Sequence, residues 1–187
     1  VIDDLPTASF HRILQGPDSS LWALGGSKPV RLGRDGRWHR VGRSLNLPDG
    51  DVKDLFFDSQ GTLWIAQTPD LYYLPAGGTH VVRSKLRIGT APSFAQTTSG
   101  KLWLTDLSAH PPHGRLIELR STTARRLPLN FPADQNHLFA SSDGSLWVSP
   151  AAEGLERLRF QENPAELGAA SSASGAFSID RFGTQQG

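Results

Sequence analysis

Apolar and polar positions alternate along this chain in short bursts, and one burst recurs. Leu63-Trp64-Ile65-Ala66 is an apolar run preceded by Asp58-Ser59-Gln60-Gly61-Thr62, a string of turn formers. The same phrase occurs as Gly16-Pro17-Asp18-Ser19-Ser20 before Leu21-Trp22-Ala23-Leu24, as Thr98-Ser99-Gly100-Lys101 before Leu102-Trp103-Leu104, and as Ser142-Asp143-Gly144-Ser145 before Leu146-Trp147-Val148. The Leu-Trp pairs lie 42, 39 and 44 positions apart. A period of about 40 residues points to propeller blades or helical arrays, and the turn and strand formers around each pair exclude the arrays.

Each repeat reads as four short strands, A to D. The first has strand A around Phe10 and Ile13, then 21–24, 30–32 and 38–41, with Arg34-Asp35-Gly36-Arg37 as a hairpin turn. The second has 52–57, 63–66, 71–74 and 80–83, and the third 92–96, 102–105, 115–119 and 124–127. The fourth has 136–140, 146–149, 155–160 and 177–182, its last strand delayed by an Ala/Ser/Gly-rich stretch, 162–174, read as a flexible loop. The predicted fold is all-β: four consecutive four-stranded antiparallel propeller blades, 5–42, 47–84, 91–128 and 132–183, within one domain spanning 1–187. Phe10, Ile13, Val52, Leu55, Phe94 and Leu138 from strand A, and Trp22, Trp64, Trp103 and Trp147 from strand B, are expected between neighbouring sheets, with the four Trp largely buried. Their strict repetition argues for packing, because a core needs every place and a ligand site needs one special place. Trp38 falls outside this column.

Composition narrows the function classes. Hydrophobic residues are 37% and Gly contributes 19 more positions, an ordinary globular mixture. A net charge of +1 provides no electrostatic surface for nucleic acid or a membrane, and no apolar run is long enough to insert in one. There is no Cys, hence no disulfide, thiolate metal site or Cys nucleophile. The chain begins at Val1 and contains no Met, as expected of a piece of a longer protein, and 182–187 reads as a connector towards a further blade.

Candidate chemistry is sparse. His110-Pro111-Pro112-His113 and Asp106 fall in what reads as a long B–C loop. Two imidazoles and a carboxylate suit zinc, but no fourth ligand is evident and a polar surface loop is the better reading. No metal, cofactor or catalytic residue is therefore expected, and no phosphate-cradling loop, nucleophile elbow or framed carboxylate pair is present. Function on a rigid scaffold concentrates in loops. The B–C connections 25–29, 67–70, 106–114 and 150–154 are expected on one face with the blade connectors 42–50, 84–91 and 128–135, and the uniform A–B turns on the other. The expected ligand contacts are Lys28, Asp70, Asp106, His110, His113 and Glu153.

The block Asp-x-x-Gly-x-Leu-Trp-[Ile/Val], followed by a Gly-Leu-x-x-Leu strand, resembles the two-component regulator propeller repeat, best over 52–65. The end, Ile179-Asp180-Arg181-Phe182-Gly183, is similar to that family's blade connector. Gly16 and Thr97 depart from the pattern by replacing the turn Asp seen at Asp58. The resemblance implies seven-bladed propellers in the extracytoplasmic sensor region of bacterial hybrid histidine kinases and some diguanylate cyclases. It implies a periplasmic, non-catalytic module of a membrane-anchored receptor, binding an unidentified small molecule, glycan or protein partner. No kinase, receiver or DNA-binding segment lies in this chain. Two other classes stay open. One is a propeller enzyme of streptogramin-lyase-like type, which needs a loop His beside a metal-binding Glu; Glu118, Glu153, Glu156, Glu162 and Glu166 do not recur beside one. The other is a structural scaffold. An arc of blades leaves apolar faces on its first and last sheets, so self-association or closure as four blades is expected.

Overall fold

The computed structural model describes residues 10–109, 112–119, 124–127, 137–149, 154–160 and 177–183, and nothing below concerns the others. Four antiparallel four-stranded sheets follow one another along the chain. Sheet 1 holds β1 (Phe10–Gln15), β2 (Leu21–Gly25), β3 (Lys28–Leu32) and β4 (Trp38–Arg40). Sheet 2 holds β5 (Asp54–Phe57), β6 (Leu63–Gln67), β7 (Asp70–Leu74) and β8 (Val82–Arg87). Sheet 3 holds β9 (Thr90–Gln96), β10 (Leu102–Ala109), β11 (Pro112–Leu119) and β12 (Ala124–Arg126), and sheet 4 holds β13 (His137–Ala140), β14 (Leu146–Ser149), β15 (Leu155–Phe160) and β16 (Phe177–Phe182). In every sheet the strands are neighbours in chain order, the meander of a propeller blade. The chain divides into two compact units, Val1–Gly89 with sheets 1 and 2, and Thr90–Gly187 with sheets 3 and 4.

The turns form for local reasons. Each A–B turn, Gly16 to Ser20, Asp58 to Thr62, Thr97 to Lys101 and Ser141 to Ser145, closes by two backbone hydrogen bonds: the first residue's N–H donates to the last one's carbonyl, and its own carbonyl accepts the N–H of Ser19, Gly61, Gly100 or Gly144. Gly61, Gly100 and Gly144 sit at φ near +80° there, a conformation that side chains resist. The B–C turn of sheet 1 is Gly26-Ser27, both with positive φ, as a two-residue hairpin requires.

Two expected boundaries move. Strand β8 runs on to Arg87 and β9 begins at Thr90, so strand occupies most of the expected 84–91 connector. The expected B–C loop 106–114 is instead largely the body of a long hairpin, in which Asp106 pairs with Arg115, Leu107 with Gly114 and Ser108 with His113. The reason is the direct Asp106–Arg115 ion pair across the two strands, which holds the hairpin together beyond the usual blade length.

Within unit 1, Trp22, Leu24, Val52, Leu55, Leu63, Ile65 and Tyr72 form one buried cluster. Within unit 2, Ala95, Trp103, Leu116, Leu138, Leu146, Val148 and Leu158 form another. Trp22 meets Phe57 of the following sheet edge-on at 5.6 Å, and Trp103 stacks on Phe160 of the following sheet at 4.6 Å. In sheets 1 and 3 the Trp face is thus turned to the following sheet of the same unit, and Leu55 of sheet 2 and Leu138 of sheet 4 face back towards the preceding one. Three expected core positions differ. Phe10 is 40% exposed, its ring 6.2 Å from Trp38 of its own sheet. Ile13 is 68% exposed, on the face of sheet 1 turned away from sheet 2. Trp147 is half-buried beneath its own sheet's Phe182, with Phe139 beside it 66% exposed. Among the described residues no helix is long and apolar enough to cross a membrane.

Candidate functional site

A polar column accompanies the apolar ones. The strand-A residue paired with the second position after each Trp is Arg12 opposite Leu24, Asp54 opposite Ala66, Ser93 opposite Thr105 and His137 opposite Ser149. The next residue along, Ile13, Leu55, Phe94 or Leu138, is apolar in every sheet. The packing columns repeat one chemistry, whereas this column carries a guanidinium, a carboxylate, a hydroxyl and an imidazole. The sequence signal for it is the polar residue one position before the apolar column, on a strand and not in a loop.

In unit 1 the column joins the B–C turns. Arg12 Nε lies 3.4 Å from Asp54 Oδ1, and Asp54, 6% exposed, accepts the Leu55 N–H at 2.9 Å. Lys28 Nζ donates to the Gly50 carbonyl at 2.7 Å, and Gln67 Nε2 to the Pro48 carbonyl at 3.1 Å. Gln67 leaves no room for a Cβ on Gly50, which explains glycine there. The Gln67 Oε1 atom is buried without a hydrogen-bond partner among the described residues. The blade connector is thereby clamped between a lysine and a glutamine from two different sheets. In unit 2, Ser93 Oγ accepts the Leu138 N–H at 3.1 Å, while His137 is exposed.

The residues expected from sequence fare differently. Lys28 belongs to the unit 1 cluster. Asp70 opens β7 beside it in sequence register with Gln67, and pairs with Arg83 at 2.7 Å and Arg87 at 3.1 Å. That partnership raises the Arg83 pKa above its ordinary value, chiefly through the hydrogen bond to Asp70. Asp106 is fully buried, and both Arg115 Nε, at 2.7 Å, and Arg115 Nη2 donate to its carboxylate. Its geometry is that of an internal tie between β10 and β11. His113 lies in β11 opposite Ser108, and His110 and Glu153 fall outside the described residues. No group of three or more His, Asp or Glu among the described residues is placed to hold a metal ion.

The described cavities sit at the other end of the sheets. One, of about 760 Å³, lies against the A–B turn of sheet 1 and is lined by Asp18, Ser20, Arg31, Arg34 and His39. Its one carboxylate, Asp18, is already engaged by Ser20 Oγ and Arg31, and its His39 is engaged by Asp35 of the adjoining turn. Both carboxyls are held below the ordinary carboxylate pKa, Asp18 chiefly by the Ser20 hydroxyl and Asp35 chiefly by the His39 ring. The second, of about 390 Å³, lies between the A–B turns of sheets 3 and 4.

Residues 46–67 match the family model of the two component regulator propeller. They comprise the connector into sheet 2, β5, its A–B turn and β6, which is the block whose sequence carried the resemblance. Among solved structures, the chain is similar to the extracellular domain of a protein described as a hybrid two component system from B. thetaiotaomicron, with a TM-score of 0.68, 15% identity, and coverage of 100% of this chain and 24% of that one. It is similar to virginiamycin B lyase from Staphylococcus aureus, with a TM-score of 0.67, 15% identity, and coverage of 96% and 57%. It is also similar to XC5397, a gluconolactonase from Xanthomonas campestris, with a TM-score of 0.61, 17% identity, and coverage of 94% and 62%. The chain thus spans between a quarter and under two thirds of these structures' lengths. At such identities the likeness establishes the propeller fold. No curated protein sequence matches.

Proposed function

We propose that this chain is a non-catalytic propeller module of a bacterial signal-transduction receptor, displayed outside the cytoplasm, which binds a small molecule, a glycan or a protein partner at the B–C end of its blades. One observation carries the binding surface: on a scaffold whose packing columns repeat, the strand-A column differs in every sheet, with Arg12 and Asp54 in unit 1 and Ser93 and His137 in unit 2. Arg12, Lys28, Asp54 and Gln67 then supply donors and acceptors of both signs within unit 1, and Asp70 stands at the edge of the same turns. In unit 2, Asp106 is the tie that holds the β10–β11 hairpin. The family match over 46–67 supports the signalling assignment.

The test is made in the intact receptor. Arg12→Ala combined with Lys28→Ala should abolish the stimulus response while the circular dichroism spectrum of the isolated chain stays all-β. An unchanged response, with an A–B turn exchange abolishing it instead, overturns the choice of end. Metal-dependent turnover of a lactone-containing substrate by the isolated chain overturns the non-catalytic reading.

A further inference from the structure

Each unit contains one example of the same contact between sheets. In unit 1 the Trp face of sheet 1 packs on the Leu55 face of sheet 2, and in unit 2 the Trp face of sheet 3 packs on the Leu138 face of sheet 4. Each half of this contact occurs once more, uncovered. By register, Ile13 and Leu21 of sheet 1 stand where Leu55 and Leu63 stand in sheet 2, and Leu138 and Leu146 in sheet 4. Those four leucines are buried, whereas Ile13 and Leu21 are exposed. On sheet 4, Phe139 pairs with Trp147, and Leu155 with Phe182, on the same face as Arg157. Phe139, Leu155 and Phe182 are exposed and Trp147 is half-buried, whereas Trp22 and Trp103 are buried.

The two uncovered halves complement one another. In unit 1 the ring that meets Trp22 comes from Phe57, whose register equivalent in sheet 1 is Gln15, a residue without a ring. Sheet 4 supplies a ring from its own side, because Phe139 stands where sheet 1 has Leu14 and sheet 3 has Ala95. The apolar groups on this face are contiguous: Phe139 lies opposite Trp147, and Phe182 stacks on Trp147 at 5.4 Å. Contiguous exposed apolar side chains mark an interaction surface, where scattered ones do not. The charges there are settled within the sheet. Arg157 pairs with Asp143 and lies over the Trp147 ring, and Arg159 pairs with Asp180 at 2.9 Å. Covering the face therefore leaves neither arginine as an unpaired buried charge.

We propose that the Phe139–Trp147–Phe182 face of sheet 4 binds the Ile13–Leu21 face of sheet 1 in a second copy of this chain, repeating the sheet-to-sheet contact found in each unit. The contact is heterologous, joining two different surfaces, so every copy offers both halves. It is independent of the ligand surface at the B–C end. The test is sedimentation velocity of the whole chain from low micromolar to submillimolar concentration. A mass above that of one chain, rising with concentration, is expected. Ile13→Asp and Phe139→Asp should each weaken association by about tenfold or more, since each places a carboxylate in the contact. Both positions are exposed in the single chain, so each variant should keep an all-β circular dichroism spectrum. If an Asp variant loses it, Ile13→Ser or Phe139→Ser takes its place. An equimolar mixture of the two variants should associate again, because one keeps an intact sheet 4 face and the other an intact sheet 1 face. Val82→Asp, at an exposed apolar position of β8, should change nothing. A native chain that stays monomeric throughout overturns the proposal. So does association that survives Ile13→Asp, a mixture of folded variants that remains monomeric, or equal weakening by Val82→Asp.

Discussion

Units 1 and 2 are built from the same columns, yet they solve one problem differently: what the Trp indole N–H bonds to. In sheet 2, Trp64 Nε1 donates to Asp58 Oδ2 at 2.8 Å, while Asp58 Oδ1 accepts the N–H groups of Gln60 and Thr62. In sheet 1, Gly16 replaces that Asp, and Trp22 Nε1 donates instead to Ser20 Oγ at 2.9 Å. In sheet 3, Thr97 takes the position, and Trp103 Nε1 is buried without a hydrogen-bond partner among the described residues. The ring itself is 2% exposed and stacked on Phe160. Burial of the ring therefore outweighs the loss of one hydrogen bond. That is the expected order, since an aromatic ring buries about 150–250 Å² and a net hydrogen bond contributes only about 1 kcal/mol. The lesson is that the Leu-Trp pair defines the blade and the turn carboxylate refines it.

Substitutions at the columns sharpen this ranking. Trp103→Ala should cost about 3–5 kcal/mol in denaturant unfolding, as large-to-small changes at packed aromatics do. Trp147→Ala, at the half-buried equivalent, should cost clearly less. Equal losses would show that the orphaned N–H, and not the ring, dominates the Trp103 position.

A second contrast sets the ion pairs of the two units against each other. Arg115→Ala removes the guanidinium from the fully buried Asp106 and should cost about 3 kcal/mol. Arg83→Ala removes one of two exposed arginines from Asp70, leaves Arg87 in place, and should cost far less. The check is chemical denaturation of both variants under one set of conditions. Comparable losses would mean that Asp106 is reached by water in solution.

The turn carboxylate itself is tested by exchange. Asp58→Ala leaves the Trp64 indole and two backbone N–H groups without their acceptor and should cost about 1–3 kcal/mol. Thr97→Asp offers Trp103 the acceptor it lacks and should stabilise by about 1 kcal/mol. A destabilised Thr97→Asp chain would show that the sheet 3 turn cannot present a carboxylate as sheet 2 does.

Much of the scaffold was legible because repetition makes each column its own control. Four Leu-Trp pairs with turn formers before them located β2, β6, β10 and β14 and the order of every sheet. What was not legible was whatever breaks the repeat. Asp106 reads as a loop residue in the sequence because its neighbourhood is Pro- and His-rich. Its true state depends on Arg115, nine positions on, which no periodicity links to it. Ile13 fits the core column by spacing and is exposed because no sheet of its unit lies behind it. The cavity between the A–B turns of sheets 3 and 4 joins Thr98, Arg159 and Phe160, far apart in sequence and adjacent only once the sheets stack. Polar strand-A residues such as Arg12 and Asp54 are visible in the sequence, but alternation alone does not tell them from ordinary solvent-facing strand positions.

The smallest expected effect concerns a motif that both units share. Asp18 in sheet 1 and Asp143 in sheet 4 occupy the same turn position, and each accepts a Ser hydroxyl two residues on and the guanidinium of an arginine on strand C, Arg31 or Arg157. That arginine also lies over the Trp of its own sheet, at 5.5 Å and 5.4 Å. The Ser hydroxyl is the first cause holding each carboxyl below its ordinary value of 3.8, and for Asp143 the depression is large. A carboxyl with a lower pKa folded than unfolded adds stability at pH values above the unfolded value, and that contribution is lost as pH falls through the folded one. The Tm difference between the native chain and Asp143→Asn should therefore be constant above about pH 5 and shrink progressively below about pH 4. Asp18→Asn should follow the same course. Exposure and salt screening keep both differences small, and added salt should reduce them further. A difference that widens on acidification would mean that the neutral carboxyl is the form these turns prefer, and would remove the Ser–Asp–Arg motif from the account of how the A–B turns are held.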